Sequence, residues 1–322
     1  MSTPKRLPND NGATLPSALQ DSIYRIRDDR EHGASWLSRE AARSMLEGAK
    51  SGSNVTAEQQ LEQLHAVARA FVDIRPSMAA LANTVARIWA ATAHSEWSAY
   101  ARLNALRSEA QRSYEAWDAA SEAIYHHARP YLAGTLYTHS RSGTVEYVLT
   151  HVAADQYTID GRRHIVVSES QPGGEGLATA RALATAGWQV TLVADAACGL
   201  FLSDTQTVII GADSVRADGS VINKVGTYPL ALMAHQAHVP IYVLCETVKI
   251  AAPDFPLVYE EMPPEELLPQ PIAGITPRNP YFDRTPPELI TAIIAETGVL
   301  SDAKRTRLAT EATYLLEILA TE

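Results

Sequence analysis

Thr207-Val208-Ile209-Ile210-Gly211-Ala212-Asp213-Ser214-Val215-Arg216-Ala217-Asp218-Gly219-Ser220-Val221-Ile222-Asn223-Lys224-Val225-Gly226-Thr227 opens on an apolar, β-branched run and then turns small and polar. A short run that is apolar throughout reads as a strand covered on both faces. From Val225 to His238 the spacing becomes helical. The same alternation extends to both sides. Gly134–His139, His164–Glu169, Gln189–Asp195 and Pro240–Cys245 are further strand-like runs, and Thr144–Val152 and Leu177–Ala186 are helical in pattern. Strands alternating with helices give an α/β fold with a doubly wound parallel sheet, Rossmann-like in type.

Upstream of Pro130 the pattern is helical only. Trp36, Leu37, Ala41, Met45 and Leu46 form one apolar stripe, and Thr56 with Gln59 forms a capping box that opens a helix reaching Val72. Pro76 suits the first position of the next helix, Met78–His94. The expected organisation is a flexible tail over 1–14, a helical N-terminal domain over 15–129 and a Rossmann-like C-terminal domain over 130–322. Pro286-Pro287 is read as opening a last pair of helices running to Leu319. Their apolar faces (Leu289, Ile290, Ile293, Ile294, Leu315, Leu316, Ile318, Leu319) would be hard for a monomer to cover, so a homodimer or higher homo-oligomer is expected.

The chain has 322 residues and a net charge of −10, so it lacks the basic footprint of a nucleic-acid binder, and no direct nucleic-acid partner is expected. No run of about 18 apolar residues occurs, so no membrane association is expected. The first residues have no apolar core of a secretory signal, and two cysteines cannot form a disulfide framework. A cytoplasmic setting is expected.

In open α/β sheets, ligands sit outside the carboxyl ends of the strands. Four such ends are polar here: Thr138–Thr144, Glu169–Pro172, Gly211–Asp213 and Cys245–Thr247. Ser142, Gly143 and Thr144 leave backbone N–H groups open at a helix start, which suits a phosphate; plain capping is the competing reading. Asp213 near Lys224 can act as general base with an oxyanion-stabilising cation, or can be a simple ion pair. Ser170–Gly176 with Asp195 is placed like a dinucleotide fingerprint, but the glycines are not spaced G-x-G-x-x-G, and Pro172 and Glu175 would crowd and repel a pyrophosphate. Metal-type spacing is absent, and neither metal nor cofactor is expected.

Gly211–Thr227 resembles the signature shared by the regulatory (alpha, beta, delta) subunits of translation initiation factor 2B, methylthioribose-1-phosphate isomerase and ribose-1,5-bisphosphate isomerase. Arg27–Ser35, Arg75-Pro76, Glu169–Pro172, Tyr242–Lys249 and Asn279–Pro287 are similar to other segments of that superfamily. The resemblance implies a sugar-phosphate cleft between the helical and Rossmann-like domains. It implies Asp213 as acid–base, Asn223 and Lys224 as ligand contacts, Arg75 as a phosphate contact and His32-Gly33-Ala34 as the N-terminal Gly-Ala turn. Arg75, Lys224 and the helix start at Ser142–Thr144 are expected to converge on one anion.

Several positions depart from the isomerase pattern. Ser140 stands where the isomerases carry a catalytic Cys, and a hydroxyl exchanges protons near neutral pH far less readily than a thiol. Gln171 precedes Pro172 where they have an Arg, Glu175 replaces a Gln, and His32 replaces an Arg. Adjacent residues on a strand face opposite ways, so His139 is not expected to activate Ser140. The first reading is therefore an initiation factor 2B alpha-like protein that binds a phosphorylated sugar or nucleoside monophosphate without efficient catalysis. The second is an isomerase using Asp213 with Ser140, and the third a structural subunit that binds nothing.

Overall fold

The computed structural model describes residues 15–30, 32–51, 55–154 and 163–321; the tail expected over 1–14 lies outside them. Helices α1 (Ser17–Asp28), α2 (Ala34–Lys50), α3 (Ala57–Ile74), α4 (Ala79–Ala90) and α5 (Ala99–Ala128) come first. The Thr56–Gln59 capping box is formed in both directions. Pro76 lies in the turn between α3 and α4, not at a helix start, because Met78 N–H closes that turn onto the Arg75 carbonyl. Ile23, Leu37, Met45, Leu64, Phe71, Leu81 and Leu106 interlock as the core of this region.

The second part alternates β1 (Leu136–Thr138), α6 (Gly143–Ala154), β2 (His164–Ser168), α7 (Gly176–Thr185), β3 (Gln189–Val193), β4 (Thr207–Ile210), β5 (Ser214–Val215), β6 (Val221–Lys224), α8 (Thr227–Gln236) and β7 (Ile241–Leu244). β8 (Phe282–Thr285), β9 (Ala292–Ala295), β10 (Gly298–Val299) and α9 (Asp302–Thr321) complete it. Among the described residues seven strands form one sheet in the order β10-β9-β7-β4-β1-β2-β3, parallel throughout except for β10. The chain winds outward from β1 through β2 to β3, then returns to the other side of β1 as β4. The order therefore reverses between β1 and β4, and their carboxyl ends open the crevice in which such sheets bind ligands. Ser140 follows β1 and Asp213 follows β4.

Three features were not read from the sequence. β5, β6 and β8 form a separate antiparallel sheet whose Ile222 and Phe282 pack into the helical core. The expected pair of late helices is one helix, α9, preceded by two strands. Ile293 and Ile294 are buried inside the parallel sheet, so the apolar helix face invoked for assembly does not exist at those positions. Finally, α9 crosses back onto α3 and α4. Leu319 is buried there, its carbonyl meets His65 Nε2 at 2.8 Å, and Leu315 and Leu316 pack against the helical core.

Candidate functional site

Two adjoining cavities open at the β1/β4 crevice, where the turn before α2 faces the strand ends. The wider, about 200 Å³, is lined by Ala34, Ser142, Gly143, Asn223 and Lys249. The narrower, about 50 Å³, is lined by Arg30, Arg75, Glu175, Lys224 and Tyr281. His32, Gly33, Ser140, Arg141 and Asp213 line both. Close backbone approach makes this possible: a Cβ on Gly211 would stand 2.5 Å from Ser142 Oγ, so only glycine lets the β4 end pass the loop leading into α6.

Asp213 occupies the floor between the two cavities. Burial pushes its carboxyl up to about 6, against the pull of Lys249 and Arg75 and the Ala34 N–H at the start of α2. A carboxyl with that value exchanges protons near neutral pH. Ser140 sits in the left-handed region at φ 68, and its N–H donates to Ser170 Oγ at 2.7 Å. His139 turns away beneath it. Nε2 faces the Val225 carbonyl at 2.9 Å, Nδ1 faces Ser168 Oγ at 3.0 Å, and burial lowers the imidazole's pKa. No hydrogen bond reaches the Ser140 hydroxyl among the described residues.

The deep cations are each committed to a carboxylate. Lys224 Nζ lies 2.8 Å from Glu175 Oε1 and 3.3 Å from the centroid of the Tyr281 ring. Its expected partner Asp213 is not the one it pairs with, because the turn before α7 brings Glu175 nearer. Arg75 Nε lies 3.3 Å from Glu260 Oε2, and Nη1 donates to the Asp29 carbonyl. Lys249 Nζ lies 3.2 Å from Glu246 Oε2. His32 Nδ1 is 2.9 Å from Asp29 Oδ2, with the ring stacked on Trp36. Asn223 Nδ2 donates to Thr227 Oγ1.

At the wider end Ser142 caps α6, its Oγ accepting from Val145 N–H and its carbonyl from Glu146 N–H. The N–H groups of Gly143 and Thr144 meet no acceptor among the described residues. Two candidate residues stand outside the cavities. Thr144 is buried and donates through Oγ1 to Glu246 Oε1 at 2.5 Å. Gln171 is exposed, with its N–H on Asp195 and its amide reaching Glu169. The expected convergence on one anion does not occur either: Arg75 and Lys224 line the narrow end, Ser142 and Gly143 the wide one. Asp195 spends both carboxylate oxygens on the Ser170 and Gln171 N–H groups, so it is not free to bind a ribose. Sequence reasoning passed over Arg30, Arg141, Lys249 and Tyr281 as site residues. All four stood inside segments already singled out (Arg27–Ser35, Thr138–Thr144, Tyr242–Lys249 and Asn279–Pro287), but nothing in the spacing marked these residues within them.

Residues 30–302 match the model of the initiation factor 2 subunit family. The chain belongs to that family. It is 30% identical over 288 residues to the translation initiation factor eIF-2B subunit 2-like protein of Pyrococcus abyssi, covering 89% of this chain and 97% of that one. It is 29% identical over 288 residues to the ribose 1,5-bisphosphate isomerase of Archaeoglobus fulgidus, covering 87% and 88%. The solved translation initiation factor eIF-2B of Pyrococcus horikoshii superposes with a TM-score of 0.75 at 28% identity, over 89% of this chain and 98% of that one. The family thus spans initiation-factor subunits and sugar-phosphate isomerases on one α/β fold.

Proposed function

We propose that the chain binds a phosphorylated sugar or a nucleoside monophosphate in this cleft, with aldose–ketose isomerisation slow or absent. The observation that carries this is the placement of His139. Both of its ring nitrogens are occupied beneath Ser140, so His139 is not available to activate the hydroxyl, which no hydrogen bond reaches among the described residues. The phosphate takes the wider end, where the free N–H groups at the start of α6 supply donors and the half-exposed Arg141, its Nε 3.6 Å from Glu146 Oε2, turns a cation toward them. Isomerase relatives and the near-neutral Asp213 carboxyl favour a second reading, in which Asp213 shuttles the proton opposite Ser140. We also take the chain to work in a reducing, cytoplasmic setting as a homodimer. The free buried thiols of Cys198 and Cys245 support the setting. The exposed side chains of Leu192, Leu200 and Leu232, on and near the β3 edge, support the pairing.

Thermal melts with ribose 5-phosphate and adenosine monophosphate, run beside turnover assays on methylthioribose 1-phosphate and ribose 1,5-bisphosphate, separate the readings. The expected result is stabilisation by a phosphate ester with negligible wild-type turnover, and measurable turnover in Ser140→Cys. Robust wild-type turnover that vanishes in Ser140→Ala makes Ser140 a working catalytic group and overturns the proposal.

A further inference from the structure

The two ends of the cleft differ in more than size, and the difference bears on which phosphate esters fit. At the narrow end the two deep cations are already paired. Lys224 is held by Glu175 and Arg75 by Glu260, with the Lys224 side chain only 3% exposed and that of Glu175 16%. Arg30 forms no ion pair among the described residues, and its guanidinium donates to the Arg27 and Asp29 carbonyls. Tyr281 closes over the Lys224 ammonium and leans its hydroxyl on Glu175. A second phosphate entering here would meet a carboxylate at close range in a space of about 50 Å³, with no deep cation left to answer it.

Glu175 also has an unmet need. Oε1 faces Lys224, but Oε2 is buried and accepts no hydrogen bond among the described residues. A buried acceptor without a donor is costly, and a hydroxyl or amino hydrogen supplies what it lacks. A phosphate at neutral pH brings mostly acceptor oxygens and cannot.

Building on the reading of this cleft as a phosphate-ester site, we propose that Glu175 makes it selective for monophosphates. The narrow end receives an uncharged, hydroxyl-bearing part of the ligand, donating to Glu175 Oε2, and refuses a second phosphate. Glu175→Gln removes the repulsion, frees the Lys224 ammonium and adds an amide donor, so the narrow end becomes an anion site. Glu175→Asp keeps the charge.

Calorimetric titration with ribose 5-phosphate and ribose 1,5-bisphosphate tests this on wild type and both variants, each first checked for a cooperative melt. The wild type is expected to prefer the monophosphate by at least about tenfold, because close like charges oppose the second phosphate. Glu175→Gln should move the ratio by at least about tenfold toward the bisphosphate, and Glu175→Asp should leave the preference with the monophosphate. A wild type that prefers the bisphosphate, or a Glu175→Gln ratio equal to wild type, overturns the selectivity. Failure of both esters to bind folded wild type and folded Glu175→Gln overturns the phosphate-ester reading itself, and the selectivity with it.

Discussion

Replacing Lys249 by Met tests how the cleft is held open. Lys249 and Glu246 are 3% and 4% exposed, and their charged atoms are 3.2 Å apart. Glu246 also accepts from Thr144 Oγ1 at the start of α6 and from Ser35 Oγ in the first turn of α2. One carboxylate therefore fastens two helix starts that frame the site. Burial disfavours its charge, yet Lys249 and Thr144 outweigh burial and hold the carboxyl below its ordinary 4.5. In wild type this contributes stability above that pH that is lost as pH falls. Without Lys249, burial dominates and the carboxyl rises above 4.5. The folded state then holds a proton that the unfolded state has released, so stability falls as pH rises between the two values. The variant should lose about 3–5 kcal/mol at pH 8, the range for stranding one member of a buried pair. At ~2 °C per kcal/mol for a chain of this size, the melting temperature drops by about 6–10 °C. At pH 5 the deficit should be clearly smaller. Adding Glu246→Gln removes the stranded charge and should recover most of the loss. Melts at pH 5 and pH 8 that show equal deficits, or a loss under about 1 kcal/mol at pH 8, refute the reasoning.

A Cβ at Gly143 meets nothing within 4 Å, so a side chain can leave the backbone there without a clash, and Gly143→Asp puts a carboxylate at the start of α6. It should leave the melting temperature unchanged or raised while weakening ribose 5-phosphate by at least about tenfold in calorimetry. Asp213 is about two pH units above its ordinary 3.8, so its ionised form costs stability as pH rises through about 6. Asp213→Asn should therefore stabilise the fold by up to about 3 kcal/mol at pH 8, about half that at pH 5 and about nothing at pH 3, read from chemical denaturation. Light scattering should give about twice the single-chain mass of 34.9 kDa, and Leu200→Asp, at a side chain 78% exposed, should return the monomer mass.

The parallel sheet was legible because β2, β4 and β7 are apolar runs bounded by turn residues, and the ends of β1 and β4 carry their polar residues within the same few positions. The Thr56–Gln59 box was legible because both partners lie three residues apart. β9 was not: Ala292-Ile293-Ile294-Ala295 is too short for its period to separate strand from buried helix. The site's residue types were visible but its pairings were not. Lys224, on β6 of an antiparallel sheet that no local signal announces, finds Glu175 across 49 positions, and Arg75 finds Glu260, in the segment between β7 and β8, across far more. What looked like a set of free cations is in the folded chain a set of neutral pairs, and only the long-range folding of the backbone decides that.

The return of α9 to the helical region has a consequence for synthesis. A chain leaves the ribosome from its N-terminus, and domains tend to fold as they emerge. Here α3 and α4 appear first, yet the faces that meet Ala312, Leu316 and Leu319 are covered only by residues translated almost last. Some two hundred residues must be added before that surface is sealed, and it stays open to water and to other chains meanwhile. A stop codon that removes α9 would thus injure the part of the protein made first as well as the sheet beside it, into whose core Ala309 packs.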